Sequence, residues 1–187
     1  MTQAVTRKLT LQEFFALPEG EPYNELIDGE AIPKVLPQRF HSKTCMGLIH
    51  LFEPWIKGKG ELGVEWAIVL TRNGKDWVPV PDLLYISNER LTLDEFEDGP
   101  CPVPPELAIE IISPDQTFGE MAEKATDYLN AGVLRVWVVD PKAKSITVFA
   151  PDTAPVTYKG DRPLTDPLFP GLELTARQVF QQAGLER

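Results

Sequence analysis

The sequence predicts an α/β protein in which a mixed β-sheet is flanked by helices and preceded by an N-terminal helix and a β-hairpin. Three observations predict this fold class. Short apolar runs of strand length recur along the chain, other segments repeat apolar residues at helical period, and one such helix lies between two strand signals as a crossover would. No internal repeat or long linker divides the 187 residues, so we expect one domain spanning 1–187.

The first elements are a short helix and a hairpin. Thr10 and Glu13 form a capping-box pattern, which predicts a helix that begins there and ends before Pro18. In "YNELIDGEAIPKV", the pair Asp28-Gly29 separates two strand-like runs. An Asp-Gly pair in that position is a strong signal for a tight β-hairpin.

Two longer helices are predicted further along. Apolar residues at helical period indicate a helix from Arg39 to about Trp55, which Pro54 could kink or shorten. A second helix has Thr117 as N-cap and ends at Gly132. The remaining signals are strands in "LGVEWAIVLT", "DLLYIS", "ELAIEIIS", "LRVWVVD" and "SITVFAP", and a last short helix in "LTARQVFQQAGLER".

Composition excludes several classes of protein. No apolar stretch approaches the roughly 20 residues that span a bilayer, and the N-terminus lacks the apolar core of a signal peptide, so we expect a cytoplasmic protein. Cys45 and Cys101 form no CxxC pair, which argues against a zinc site or a disulfide framework. His41 and His50 lack metal-ligand spacing, which argues against a His-based metal site.

The negative charge is concentrated in one region. Of the net charge of −10, residues 89–123 contribute ten acidic side chains against one basic, and the rest of the chain is nearly neutral. Most of this region, "NERLTLDEFEDGP", is interpreted as a solvated loop or short helix. Because no compensating basic block is present, strong unaided binding to DNA or RNA is not expected.

Glu110 is the first candidate functional residue, because it interrupts the apolar run "PPELAIEIISPD". At strand period, Leu107, Ile109 and Ile111 lie on one face and Glu110 on the other, and both faces are apolar enough to be buried. A buried carboxylate needs a cation, a metal ion or several hydrogen-bond donors. A structural ion pair with an arginine would satisfy it equally well.

Asp82 and Lys124 lie upstream and downstream of Glu110. Asp82 follows a proline at the entry to an apolar strand and could simply be a polar residue that closes a turn. Lys124 lies at the border of the packed face of the predicted helix, beside Tyr128, where its ammonium could point outward or inward. Together with Glu110 they suggest phosphodiester chemistry.

The chemistry follows from the residue types. Two carboxylates supply hard oxygen ligands to Mg²⁺ or Mn²⁺, which polarises a scissile phosphate and lowers the pKa of an attacking water. A nearby lysine can orient or help deprotonate that water and offset charge on the transition state.

The run "PDLLYI … ELAIEIISPD … EKATDYLNAGVLRVWVVDP" resembles the PD-(D/E)XK nuclease superfamily, and within it the Uma-type family of restriction endonucleases. "YNELIDGEAI" and "RFHS" resemble the N-terminal part of the same family, so the resemblance covers about residues 10–175. It implies a restriction-endonuclease-like fold and a divalent-metal-dependent activity on DNA.

The resemblance also implies roles for individual residues. Asp82 corresponds to the aspartate of the PD element and Glu110 to the (D/E) residue, with the backbone carbonyl of Ile111 as a further metal ligand. Where the motif has lysine this chain has Ile112, and the family's lysine maps instead onto Lys124 of the following helix.

An accessory acidic residue of the family corresponds to Glu25, which is equally consistent with a surface glutamate beside the hairpin. Because the departure at Ile112 concerns the lysine, the resemblance supports the metal assignment of Asp82 and Glu110 more strongly than the catalytic assignment of Lys124.

Three functions are consistent with the sequence. The first is a nuclease with DNA as substrate, acting as a homodimer because double-strand cleavage by one small domain usually needs two active sites. The second is a non-catalytic interaction module that keeps the nuclease fold, in which Glu110 would pair directly with Lys124. The third is a hydrolase of some other phosphoester.

Overall fold

The computed structural model of the protein describes residues 8–18, 23–92 and 98–187. The helices within these ranges are α1 (Leu11–Phe15), α2 (Arg39–Ile56), α3 (Phe118–Asn130) and α4 (Ala176–Gln182). The strands of the first half are β1 (Asn24–Ile27), β2 (Glu30–Pro33), β3 (Gly60–Val64), β4 (Leu70–Arg72), β5 (Lys75–Trp77) and β6 (Leu83–Ser87). Those of the second half are β7 (Leu107–Ile111), β8 (Arg135–Asp140), β9 (Ser145–Phe149), β10 (Val156–Lys159), β11 (Pro163–Leu164) and β12 (Leu174–Thr175).

A six-stranded mixed sheet forms the centre of the fold, with strand order β10-β9-β8-β7-β6-β3. Neighbouring strands are antiparallel except β7 and β8, which are parallel. Helix α3 connects these two strands, as the crossover connection of a parallel pair requires. The predicted mixed sheet and its crossover helix are confirmed.

Each face of the sheet is covered by helices. On one face, alternate residues of β6 to β8 pack against α2 and α4, and on the other the intervening residues pack against α3. Gly47 allows α2 and α4 to approach closely, because a Cβ atom there would lie 2.9 Å from the carbonyl oxygen of Val179. Both faces of β7 are therefore buried, as its apolar run predicted.

The N-terminal helix and hairpin are also present. Thr10 caps α1 with a full capping box. Asp28 and Gly29 have positive φ angles of 52° and 79°, which the tight turn between β1 and β2 requires. A bridge between Leu26 and Val78 attaches the hairpin to the segment that leads into β6. This attachment brings the hairpin to the entry of the central strands.

Several details differ from the predictions. The run "LGVEWAIVLT" is divided into β3 and β4, because Glu65 adopts a positive φ of 47° and turns the chain just after Val64. Helix α2 continues past Pro54 to Ile56. The strands β5, β10, β11 and β12 were not predicted, although Asn73-Gly74, with φ angles of 51° and 75°, is a hairpin signal between β4 and β5.

Part of the acidic region cannot be compared with its prediction, since residues 93–97 of "NERLTLDEFEDGP" lie outside the described residues. In the described part of the chain, no helix combines the length and apolar character that crossing a membrane requires. Cys45 and Cys101 are both free thiols, and Cys101 is buried.

Candidate active site

Strand register places Asp82 next to Glu110. Strands β6 and β7 pair antiparallel with Leu83 opposite Ile109, so continuing the register by one residue brings Asp82 opposite Glu110. Both side chains are almost completely buried, with exposures of 2% for Asp82 and 3% for Glu110. Two carboxylates from neighbouring strands thus meet at one end of the strand pair.

Asp82 is surrounded by donors and cations. Lys34 Nζ lies 2.7 Å from Oδ1, while the Ile111 amide donates to Oδ2 over 2.7 Å and His41 Nε2 lies 3.0 Å from the same oxygen. Burial alone would raise the pKa of Asp82, but His41 and Lys34 together outweigh it and lower the pKa to about 2. Asp82 is therefore ionised at neutral pH.

Glu110 has fewer donors and a different electrostatic balance. Its Oε1 lies 3.0 Å from Lys124 Nζ and accepts a hydrogen bond of 2.8 Å from the Tyr128 hydroxyl. Burial raises the pKa of Glu110, Lys124 opposes that rise, and the negative charges of Asp82 and Glu25 add to it. Of the two carboxylates, Glu110 is therefore the one that binds a proton more readily.

Glu25 is the third buried carboxylate of the site. The bridge between Leu26 and Val78 fixes its strand, and the Val80 amide donates to Glu25 Oε1 over 3.0 Å. Lys124 Nζ donates to the same oxygen over 2.8 Å. Lys124 therefore links the hairpin carboxylate to Glu110. Glu25 is only 7% exposed, so it is not the surface glutamate that the sequence also allowed.

Helix α3 presents Lys124 and Tyr128 to the carboxylates from positions i and i+4, which lie on one face of a helix. Tyr128 is fully buried and its ring packs against that of Trp77 at a centroid distance of 4.9 Å. For Lys124, burial would lower the pKa, but Glu110 and Glu25 raise it above its ordinary value. The ammonium points inward and stays charged.

The three buried carboxylates and Lys124 line an open cavity of about 370 Å³. His41 reaches it from the buried face of α2, which continues through Thr44, Leu48 and Phe52 at helical spacing. The ionisable residues that line the cavity are Glu25, Lys34, His41, Asp82, Glu110, Asp115, Glu120 and Lys124. A substrate group that enters the cavity would meet the carboxylates of Asp82 and Glu110 and the ammonium groups of Lys34 and Lys124.

The site offers few oxygen ligands to a divalent metal ion. Nowhere in the described residues do three His, Cys, Asp or Glu side chains converge as a metal-binding group. Mg²⁺, however, keeps several waters and is commonly held by only one or two carboxylates. Asp82 and Glu110 provide that number of hard oxygen ligands, so the ligand types of the site fit such an ion. Binding requires that Lys34 and Lys124 give up their contacts with the carboxylate oxygens that the ion takes.

All the residues singled out in the sequence come together. The same cavity is lined by all five of them: Asp82, Glu110, Lys124, Glu25 and Ile111. The Ile111 contact with Asp82 is made by its amide, which donates to the carboxylate.

The position where the motif has lysine is apolar in structure as well as in sequence. Ile112 is half-buried and packs against the apolar cluster on the α3 side of the sheet. No charged group of that residue is available to the site, so Lys124 is the lysine that contacts Glu110.

Four further residues contact the cluster and were not singled out as site residues: Lys34, His41, Glu65 and Tyr128. Tyr128 could have been found from its i+4 spacing to Lys124 on a predicted helix. Lys34 and His41 reach Asp82 from 48 and 41 residues away along the chain, and no local pattern marks either contact.

Comparison with known proteins places the chain in a family. A family model named Uma2 and described as "Putative restriction endonuclease" matches residues 11–177. The chain belongs to this family. The resemblance seen in the sequence is thereby confirmed, and the Uma2 match includes every residue of the candidate site. No curated protein matches the chain.

A solved structure supports the same conclusion at the level of fold. The protein is similar to a crystal structure described as a putative nuclease belonging to DUF820 from Anabaena variabilis ATCC 29413, with a TM-score of 0.81 and 26% sequence identity. The similarity covers 94% of this chain and 99% of the other. Uma2 membership and this nuclease-like fold support a nuclease role, and restriction-endonuclease-like proteins generally use divalent metals.

Proposed function

We propose that the protein is a divalent-metal-dependent endonuclease that hydrolyses phosphodiester bonds in DNA, with residues 1–187 acting as one domain. The observation that carries the proposal is the convergence of Asp82 and Glu110 with Lys124 in one cavity. Asp82 and Glu110 would hold Mg²⁺ or Mn²⁺, with the Ile111 backbone as an additional ligand and Glu25 as an accessory residue.

Each residue of the site has a role that its surroundings support. A bound divalent ion would polarise the scissile phosphate and lower the pKa of a coordinated water. Asp82, with its lowered pKa, supplies a permanent negative charge. Lys124 is a permanent cation that can orient the attacking water and offset charge on the transition state, and Glu25 fixes its position.

The test is cleavage of plasmid and oligonucleotide DNA in Mg²⁺ or Mn²⁺ by wild type and by Asp82→Asn, Glu110→Gln and Lys124→Met. Each substitution is expected to reduce cleavage by at least about a hundredfold, because the first two remove a ligand of the metal ion and Lys124→Met removes the cation that offsets charge on the transition state. Glu123→Gln is the matched control, since Glu123 is exposed on α3 beside Lys124. Equal cleavage by wild type and all three variants would overturn the proposal.

The substrate and the assembly are tested separately. Small phosphodiesters and RNA, assayed beside DNA, distinguish a DNA nuclease from a hydrolase of another phosphoester. A homodimer is part of the proposal because it would bring two active sites to the two strands. Light scattering at micromolar concentration should then give twice the chain mass, and a monomer mass would remove this part of the proposal.

One observation favours a second candidate, a non-catalytic interaction module. Glu110 pairs directly with Lys124 at 3.0 Å, as that hypothesis expects, and Asp82 pairs with Lys34 at 2.7 Å. Buried pairs of this kind can be purely structural. Calorimetric titration with Mg²⁺ separates the two candidates: binding that is lost in folded Glu110→Gln supports the nuclease, whereas no binding to wild type supports the module.

A further inference from the structure

Lys34 is a charged residue of the site for which the proposed chemistry has no role. It directly follows β2, and its amide donates to the carbonyl of Tyr23 over 2.8 Å, so its backbone is held by the base of the hairpin. Its side chain is only 15% exposed and lines the same cavity as Asp82 and Glu110. The hairpin therefore delivers a second lysine to the carboxylates, in addition to Lys124 of α3.

The Lys34 ammonium lies among negative charges. Its Nζ is 2.7 Å from Asp82 Oδ1 and 3.5 Å from Glu65 Oε1. Burial would lower the pKa of Lys34, but the charges of Asp82 and Glu110 outweigh it and raise the pKa, so the group is a cation at neutral pH. It neutralises carboxylates that would otherwise repel one another inside the protein.

The two oxygens of Asp82 have different partners. Oδ2 accepts from the Ile111 amide and also contacts His41, both of which are fixed on regular elements. Oδ1 contacts Lys34. A lysine ammonium and a divalent ion compete for such an oxygen, because an ion bound at about 2.1 Å leaves no room for an ammonium at hydrogen-bond distance on the same lone pairs.

We propose that Lys34 is an internal counterion that occupies the cation-binding position of the metal-free site, and that a divalent ion displaces it from Asp82. This inference rests on the proposed metal-dependent function. The ammonium has a second partner close by, since Glu65 lies 3.5 Å away and its side chain is 35% exposed. Lys34 can therefore leave Asp82 by a rotation of its flexible side chain, without movement of the hairpin backbone.

Lys124 differs from Lys34 in this respect. It donates to Glu25 over 2.8 Å in addition to its contact with Glu110. Because Glu25 is itself held by the Val80 amide, Lys124 stays anchored when Glu110 turns to another cation. The two lysines thus have different roles: the metal ion displaces Lys34 from Asp82, and Lys124 remains bound to Glu25 beside the ion.

The test measures Mg²⁺ affinity by titration calorimetry, with Mn²⁺ as a second probe. Lys34→Met, which keeps the length of the side chain and removes its charge, is expected to bind Mg²⁺ at least about tenfold more tightly than wild type, since the competing cation is gone. Lys34→Arg keeps the competing charge and should bind no more tightly than wild type. Lys75→Met removes an exposed lysine that pairs with Asp28, and should leave the affinity unchanged.

Tighter binding separates this role from a structural one, because a variant that merely loses structure binds more weakly. Metal-free Lys34→Met should also have a lower melting temperature than wild type, and saturating Mg²⁺ should raise it more than it raises that of wild type.

Equal or weaker Mg²⁺ affinity in folded Lys34→Met, with binding still lost in Glu110→Gln, would overturn the counterion role and leave the proposed nuclease site intact. Absence of binding in wild type and Lys34→Met alike would overturn both.

Discussion

Asp82 and Glu110 lie side by side on neighbouring strands and are buried to the same extent, yet their surroundings act on them in opposite directions. Burial would raise the pKa of Asp82, but its contacts with His41 and Lys34 outweigh burial and lower the pKa to about 2. Burial raises the pKa of Glu110, Lys124 opposes that rise, and the charges of Asp82 and Glu25 add to it. Equal burial therefore does not imply equal proton affinity, because the charges that surround each carboxylate differ.

This difference suggests a division of roles within one pair of carboxylates. Environments that push two pKa values apart commonly mark a fixed anion and a proton-binding partner. Asp82 is ionised at neutral pH. A bound divalent ion would stabilise Glu110 more, because its positive charge would offset the free-energy cost of burying the Glu110 carboxylate.

The largest effect is expected when the two carboxylates are neutralised separately. Asp82→Asn leaves Lys34 without its main ion-pair partner in a buried site, and should lower the free energy of unfolding by about 3 kcal/mol. Glu110→Gln should cost about 1 kcal/mol, since Lys124 keeps Glu25 as a partner. Urea denaturation of metal-free protein at neutral pH measures both. If Glu110→Gln were the more destabilising variant, the contrast between the two carboxylates would be wrong.

A second prediction concerns pH, and the two carboxylates should act with opposite sign. The folded pKa of Asp82 is lowered from 3.8 to about 2, so the stability that it contributes is present above the unfolded pKa and is lost as the pH falls towards the folded value. The folded pKa of Glu110 is raised above 4.5, so its contribution is present below the unfolded pKa and is lost as the pH rises through the folded value.

Asn and Gln do not titrate, so the variants isolate the two contributions. The unfolding free energy of wild type minus that of Asp82→Asn should increase by about 2 kcal/mol between roughly pH 2 and pH 5. The corresponding difference for Glu110→Gln should decrease as the pH rises above 4.5. Urea denaturation across this range is the measurement, and differences that change in the same direction would contradict the opposite shifts.

Much of the fold could be predicted from the sequence, because its signals are local. The capping boxes at Thr10 and Thr117, the Asp28-Gly29 turn and the apolar run around Glu110 each determine an element without help from distant residues. The division after Val64 could not be predicted, since it depends on the left-handed conformation of Glu65, a residue type that does not favour it.

The candidate site was predictable only in part, because some of its contacts join residues that are far apart along the chain. Asp82, Glu110 and Lys124 follow from strand and helix periods, or from the family motif that contains them. The contacts of Lys34 and His41 with Asp82 arise from the docking of the hairpin and of α2 on the sheet, which no short sequence pattern records. The sequence therefore identifies the carboxylates, and only the structure shows which residues contact them.

A smaller effect is expected at Tyr128. Tyr128→Phe removes the hydroxyl that donates to Glu110 Oε1 and leaves the ring packed against Trp77. The free energy of unfolding should fall by about 1 to 2 kcal/mol, because a buried carboxylate loses a hydrogen bond. Tyr158→Phe is the control, since Tyr158 is half-buried on β10 at the edge of the sheet. Urea denaturation that gave the same loss for both variants would show that the Tyr128 hydroxyl has no particular effect on Glu110.

The smallest effect is expected at Cys45, which lies one turn after His41 on α2 and reports on the Asp82 side of the site alone. Burial raises the pKa of its thiol to about 11, and the charges of Asp82 and Glu65 add to the rise. Because the thiolate is the reactive form, iodoacetamide should modify Cys45 slowly near pH 8, and Asp82→Asn should increase the rate by less than about tenfold.

Glu110→Gln should leave the rate close to that of wild type, since Glu110 is not among the charges that act on Cys45. Mass spectrometry of the modified peptide measures the rate, and equal acceleration by both variants would mean that the thiol responds to general loosening of the fold and not to the charge of Asp82.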